Sequence, residues 1–286
     1  MKPASFTYHA PKTVEEAVAL LAEHAPDDGR ILAGGQSLVP TMAFRLARPP
    51  HLIDINNVNG LDRLAVEGDA LHIGARVRHA AFHTPVCDGP LGALLSTVVA
   101  KIAHLPIRLR GTFCGSVAHA DPASEWCLVT ATLDGEMVAI RKDGERVIAA
   151  KDYFEGVMST ALAEDELLAA VRLPVLADGT KFGFQEFSRR AGDFAIAMAL
   201  ATYRVDGGKI ADAHVGIGGA EDRPRRIKEA EDALNGQAPD DAVFAAAAEA
   251  AAKAVDPMED AQNSALYRRD LVRAMTERAL QAAADS

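Results

Sequence analysis

The chain has 286 residues and a net charge of −10 at neutral pH, with 49% hydrophobic and 24% charged residues. That length suits two modest domains whose cores need no staples. The acidic total argues against a duplex nucleic-acid binder, which needs Lys and Arg to neutralise phosphates.

In chain order, TVEEAVALLAEH (13–24) reads as a helix: Thr13 and Glu16 have capping-box spacing, and Val14, Ala17, Val18 and Leu21 share a face. RILAGG (30–35) reads as a short strand entering a glycine turn. SLVPTMAFRLA (37–47) reads as a helix with Pro40 tolerated in its first turn, and HLIDI (51–55) as the next strand. These β-α units predict a small, partly parallel sheet. ALHIGARV (70–77) is strand-like, and PLGALLSTVVAKIAHL (90–105) is helical with a wide apolar face. LDGEMVAIRKDGERVIAA (133–150) alternates around Lys-Asp-Gly, a hairpin signal, and DELLAAVRLPV (165–175) is a strand ending at Pro174.

LADGTKF (176–182) reads as a linker, with a domain boundary near 175–181. Beyond it FGFQEFSRR, FAIAMALATYRV and KIADAHVGIGG are strands, the last two joined by a hairpin turn at DGGK. Three helices follow: RRIKEAEDAL, the Ala-rich DAVFAAAAEAAAKAV, and ALYRRDLVRAMTERALQAA. Strands followed by helices predict a separate α+β unit. No run of about 18 apolar residues occurs and the start lacks a signal-peptide core, so a cytoplasmic protein that does not span a membrane is expected.

The chemistry-bearing residues concentrate in GTFCGSVAHADPASEWC (111–127). A metal site on Cys114, His119, Asp121 and Cys127 lacks a familiar ligand spacing. A Cys114 nucleophile with His119 as base lacks a third, orienting group. The three cysteines, with Cys87, are odd in number and without C-x-x-C, which indicates neither a disulfide framework nor an Fe–S cluster. A backbone cradle fits better. Gly111 and Gly115 alternate with hydroxyls at Thr112 and Ser116, and AGGQS (33–37) sits between a strand and a helix, where glycines admit close ligand approach and a helix start attracts an anion. Two such segments would suit a diphosphate, although neither fits the dinucleotide fingerprint G-x-G-x-x-G. His9, His24, His51 and His72 read as surface or strand-packing positions.

Taken together, ILAGGQSLVPTMAFRLARPPHLIDI and IRLRGTFCGSVAHADPASEW resemble the medium, FAD-binding subunit of molybdenum hydroxylases, the family of the xanthine, carbon monoxide and quinoline dehydrogenase flavin modules. The resemblance continues through YFEGVMSTALAEDELLAAVRLP, FSRRAGDFAIAMA and YRRDLVRAMTERAL, covering essentially the whole chain. It implies an α+β fold: a two-lobed vanillyl-alcohol-oxidase-type (PCMH-type) FAD-binding domain over 1–176, with lobes of about 1–57 and 58–176, then a domain of a small antiparallel sheet plus helices over 180–286.

The resemblance also implies that Ala33, Gly34, Gly35, Gln36 and Ser37, with Thr112, Phe113, Cys114, Gly115 and Ser116, clasp the FAD diphosphate. Glu125 stands where the family has an acid near the ribose, Ile102 and Leu168 line the cofactor, and Phe194 stands near the isoalloxazine. No residue of this chain is implied as catalytic or metal-binding. Cys114 replaces the family's usual glycine, which matters if that position requires a positive φ. Implied partners are a large molybdopterin subunit and a small subunit with two [2Fe–2S] clusters, arranged as a dimer of heterotrimers, with NAD or a quinone as acceptor. A self-contained flavin oxidoreductase of the same superfamily and a non-enzymatic binding module are the competing readings.

Overall fold

A computed structural model describes residues 2–286. The chain opens with β1 (Thr7–His9), α1 (Val14–His24), β2 (Arg30–Leu32), α2 (Leu38–Ala43) and β3 (His51–Asp54), and the strands form a parallel sheet in the order β1-β3-β2. Thr13 caps α1 by accepting from the Glu16 N–H at 3.2 Å, while the Glu16 carboxylate reaches back to the Lys12 N–H at 2.7 Å, one residue before the usual capping-box target. Ala17, Val18 and Leu21 are buried, as their spacing predicts. The helix α2 is shorter than its sequence pattern, because Arg45 adopts a left-handed φ of 58° just past its end.

The next unit is a five-stranded antiparallel sheet in the order β4-β5-β10-β6-β7, made of β4 (Leu64–Glu67), β5 (Ala70–Gly74), β6 (Glu136–Arg141), β7 (Gly144–Ala149) and β10 (Leu167–Pro174). A two-stranded ribbon, β8 (Phe154–Gly156) with β9 (Ser159–Thr160), precedes β10. Strand β4 carries half-exposed, mixed residues and has no clear signature in the sequence. The helical pattern of 90–105 divides: α3 spans Gly89–Val99, Ala103 turns left-handed at φ 39°, and α4 restarts at Leu105–Arg108. Then come α5 (Phe113–His119) and α6 (Glu125–Thr132). Trp126 is fully buried, with ring centroids 4.7 Å from Phe113 and 5.1 Å from Phe82, and its indole N–H donates to His79 Nδ1 at 2.9 Å. Burial pushes His79 down to about 4, so it accepts this bond as neutral imidazole.

The last unit is an antiparallel sheet, β11 (Lys181–Phe187), β12 (Ala197–Asp206), β13 (Lys209–Gly218) and β14 (Arg225–Arg226), followed by α7 (Lys228–Leu234), α8 (Asp241–Ala254) and α9 (Ala265–Ala284). Strand β12 reads as a continuous apolar run because both its faces are covered. Met198 and Leu200 join the core of the preceding unit, whereas Ala197, Ala199, Ala201 and Tyr203 pack under the helices. Small residues let those layers approach. A Cβ on Gly183 of β11 would lie 1.9 Å from the Ala279 carbonyl oxygen of α9, and one on Gly216 of β13 would lie 1.8 Å from Thr132 Oγ1 of α6.

The Gly183 contact is with backbone, which cannot rotate away. Gly183→Ala is expected to destabilise the protein by about 2–3 kcal/mol, read as a lower midpoint in thermal unfolding followed by circular dichroism.

Candidate cofactor-binding site

The two glycine segments, nearly eighty residues apart in sequence, meet backbone to backbone. A Cβ on Gly34 would lie 2.4 Å from the Arg110 carbonyl oxygen and 2.6 Å from Gly111 Cα, and one on Gly115 would come within 3.9 Å of the Ala33 side chain. Side chains that the sequence did not single out tie this contact together. Asn56 donates from Nδ2 to the Ala33 carbonyl at 2.7 Å and to Asp54 Oδ1 at 2.6 Å. Arg78 donates to Asn56 Oδ1 at 2.5 Å and to the Arg110 carbonyl. Arg78 also forms an isolated antiparallel bridge with Thr112, and the flanking bonds run from the His79 N–H to the Gly111 carbonyl and from the Phe113 N–H to the Val77 carbonyl, each 3.0 Å. Neither residue's part in this contact carries a local sequence signal, because Asn56 reaches Ala33, and Arg78 reaches Asn56, over more than twenty residues.

In the first segment, the amides of Gly34, Gly35, Gln36 and Ser37 have no acceptor among the described residues, and the Gln36 side chain folds back to the Gly34 carbonyl at 3.2 Å. Gly35 has φ +72°, a conformation that brings successive N–H groups onto one side and favours glycine. Gly34, Gly35 and Gln36 are partly buried and Ser37 is exposed.

The second segment is not a loop. Thr112 is the N-cap of α5, its hydroxyl accepting from the Gly115 N–H at 3.0 Å. That hydroxyl accepts the cap bond, and Thr112 is 2% exposed. The Phe113 side chain is wholly inside the aromatic core. Cys114 is helical, so no positive φ is required there and its Cβ is tolerated. Its thiol is buried against the Ile73 carbonyl at 3.2 Å, and burial pushes it up to about 12. What this segment offers is backbone: the Phe113, Gly115 and Ser116 amides are engaged within the protein, and that of Cys114 has no acceptor among the described residues.

Glu125 is the first residue of α6. Burial, reinforced by Glu186 and Asp121, pushes its carboxyl up to about 8. Glu186, on β11, is pushed up to about 7 by burial, with Lys101 opposing, and its Oε2 has no hydrogen-bond partner. The charge of Glu186 adds to the effect of burial in holding the Glu125 carboxyl well above the usual carboxylate range. Ile102 follows α3 and Leu168 lies at the bulge of β10 opposite β6. Both are more than nine-tenths buried and belong to the core. Phe194 is 71% exposed. It lies on the rim of an open cleft of about 720 Å³ between the 121–123 and 157–158 turns and the C-terminal unit, shared with Arg189, Asp193 and Asn263.

A parallel-sheet lobe and an antiparallel lobe thus press two glycine segments together, with free amides on one and a helix start on the other. Residues 4–176 match the FAD binding domain in molybdopterin dehydrogenase, and residues 182–283 match the CO dehydrogenase flavoprotein C-terminal domain. The chain is 38% identical over 280 residues to the nicotine 6-hydroxylase medium subunit of Paenarthrobacter nicotinovorans, covering 98% of each. It superposes with a TM-score of 0.95 and 35% identity on a chain of the carbon monoxide dehydrogenase of Hydrogenophaga pseudoflava that lacks the Mo-pyranopterin moiety, covering 100% and 99% of the two chains. For quinoline 2-oxidoreductase from Pseudomonas putida 86 the values are 0.93 and 36%, with coverage of 100% and 99%. The chain belongs to the FAD-binding medium-subunit family of the molybdenum hydroxylases, and is thus a flavoprotein subunit of an oxidoreductase complex. Among the described residues no helix is long and apolar enough to cross a membrane.

Two measurements check this electrostatic picture. Burial pushes Cys127, like Cys114, up to about 12, whereas Cys87 is partly exposed. In the native protein at neutral pH a thiol reagent should modify Cys87 alone, and all three thiols only after denaturation. An unfolded Glu125 carboxyl ionises near 4.5, while the folded one holds its proton to about 8, so between those values the native state binds more protons and stability falls as pH rises. Glu125→Gln should flatten the fall in the thermal midpoint of the cofactor-free protein across this window.

Proposed function

We propose that this chain is the electron-transfer subunit of a heterotrimeric molybdenum hydroxylase. It would take electrons from the [2Fe–2S] clusters of a small partner and pass them to an external acceptor such as NAD or a quinone, while a large molybdopterin subunit transforms the organic substrate. A dimer of such heterotrimers is part of the proposal. The observation that carries the reading is the run of free amides at 34–37 held against the Arg110–Thr112 backbone. An isolated glycine turn would not need that contact, and a diphosphate would supply the missing acceptors.

In this reading the Ala33–Ser37 backbone and the start of α5, from Thr112 to Ser116, receive the diphosphate. Cys114 contributes its N–H and not its thiol. The neutral Glu125 carboxyl suits a ribose hydroxyl, since it both donates and accepts. Ile102 and Leu168 support the cradle from the core side, and Phe194 shields the redox end from its exposed rim. Bound FAD supplies two-electron to one-electron conversion, and the protein contributes binding, orientation and exclusion of water. We divide the chain into an FAD domain over 1–176, with lobes of about 1–57 and 58–176, and a C-terminal domain over 180–286.

The test is flavin retention. Gly35 has a left-handed φ, and its added Cβ would lie 3.2 Å from Leu32 Cδ1 and Val39 Cγ2, so Gly35→Val should lose bound FAD by absorbance, at least about tenfold relative to wild type, while far-UV circular dichroism is unchanged. Stoichiometric flavin in that variant would refute the cradle, and a folded wild-type chain that takes up no FAD would refute the function.

A further inference from the structure

Outside the cofactor site, tertiary structure assembles three histidines from three different elements. His9 ends β1, His24 ends α1 and His51 begins β3. One ring nitrogen of each lies within 4.8 Å of the others, and His9 Nε2 and His51 Nδ1 are 3.0 Å apart. The rings of His24 and His51 are stacked, with centroids 4.0 Å apart and planes within 4°, and His9 tilts over both at 4.7 and 5.2 Å.

We propose that His9, His24 and His51 form a binding site for a single divalent transition-metal ion, with Zn²⁺ as the reference occupant. Two nitrogens bound to one metal at about 2.0–2.1 Å lie about 3.0–3.4 Å apart for angles between about 90° and 109°, and the His9–His51 pair already has that spacing. Bringing the third nitrogen in requires closing a gap of up to 4.8 Å to about 3.4 Å and turning the stacked His24 and His51 rings so that their in-plane lone pairs point at one ion. The rings can give by this much, because all three residues are partly exposed. The backbones beneath them are fixed. His9 and His51 sit on adjacent parallel strands, and a Cβ on Gly29 would lie 2.7 Å from both the Cβ and the carbonyl oxygen of His24, so the turn after α1 holds that residue in place.

Imidazoles are largely neutral at pH 7.5, with lone pairs available to a metal. The carboxylate of Glu23 lies 3.9 Å from His24 Nε2. A surface groove lined by His9, Glu16, Leu20 and Glu23 gives an ion access, and water or Glu23 would complete four ligands. Cysteine does not compete: Cys114 and Cys127 are buried with thiols pushed up to about 12. An ion here would clamp β1, α1 and β3, and β3 pairs directly with β2, the strand that leads into the Gly34–Gly35 turn.

The experiment uses the full-length chain without an affinity tag, stripped with chelator at pH 7.5. Titration with Zn²⁺ should give one saturable site per chain and a rise in the thermal midpoint that follows ligand linkage. Cu²⁺ added at one equivalent should give an electron paramagnetic resonance spectrum with hyperfine coupling from three imidazole nitrogens. His24→Ala and, on the edge strand, His9→Ala should each weaken Zn²⁺ binding at least about tenfold, while His72→Ala binds as wild type. The proposal is overturned if the folded wild-type chain shows no saturable Zn²⁺ site, if either His9→Ala or His24→Ala binds as wild type does, or if copper couples to fewer than three nitrogens.

Discussion

The backbone contact of Gly34 with Arg110 and Gly111 is the constraint on which the rest of this protein depends. Two lobes with different sheet types, one parallel and one antiparallel, are brought to a separation that no Cβ would permit. Hydrogen bonds then fix that separation: Asn56 holds the Ala33 carbonyl, Arg78 joins Asn56 to the Arg110 carbonyl, and the 77–79 backbone pairs with the 111–113 backbone. The consequence for function is a division of roles within one segment. The Gly34, Gly35 and Ser37 carbonyls are taken locally by the Gln36 side chain, the Val39 N–H and the Thr41 N–H, which leaves N–H groups as the free polarity of the 34–37 turn. An anion completes such an arrangement; a metal cation does not.

A second constraint is the double coverage of the C-terminal sheet. Residues of β12 alternate between the core of the FAD-binding unit and the cover of α8 and α9. The C-terminal unit therefore rests on its own helices and on α6 at once, and Gly216 against Thr132 sets how closely β13 approaches α6. The same junction holds Glu125, Glu186 and Lys101. Burial raises both acids, with Glu186 adding to the shift of Glu125 and Lys101 opposing that of Glu186.

Much of the fold was legible because its signals are local. The Thr13–Glu16 cap, the Lys-Asp-Gly and Asp-Gly-Gly turns and the alternation of β6 and β7 each act within a few residues, and each produced the expected element. The errors share one cause. The apolar pattern of 90–105 continues across a break that only the left-handed Ala103 reveals, and the weakly patterned β4 exists because β5 offers it a free edge. The segment at 112–116 reads as a glycine loop by composition, yet the Thr112 hydroxyl converts it into the start of a helix.

The site divides in the same way. The sequence by itself determined which residues have unusual backbone freedom, Gly34, Gly35 and Gly115, and which family pattern they form, because glycine content and spacing are written in the chain. Only the tertiary structure decided that Cys114 is a helical core residue with an inert thiol, that Arg78 and Asn56 join the two segments, that Glu125 is held neutral, and that His9, His24 and His51 share one surface. Those outcomes depend on burial and on partners twenty or more residues distant, and neither quantity exists until the chain has closed on itself.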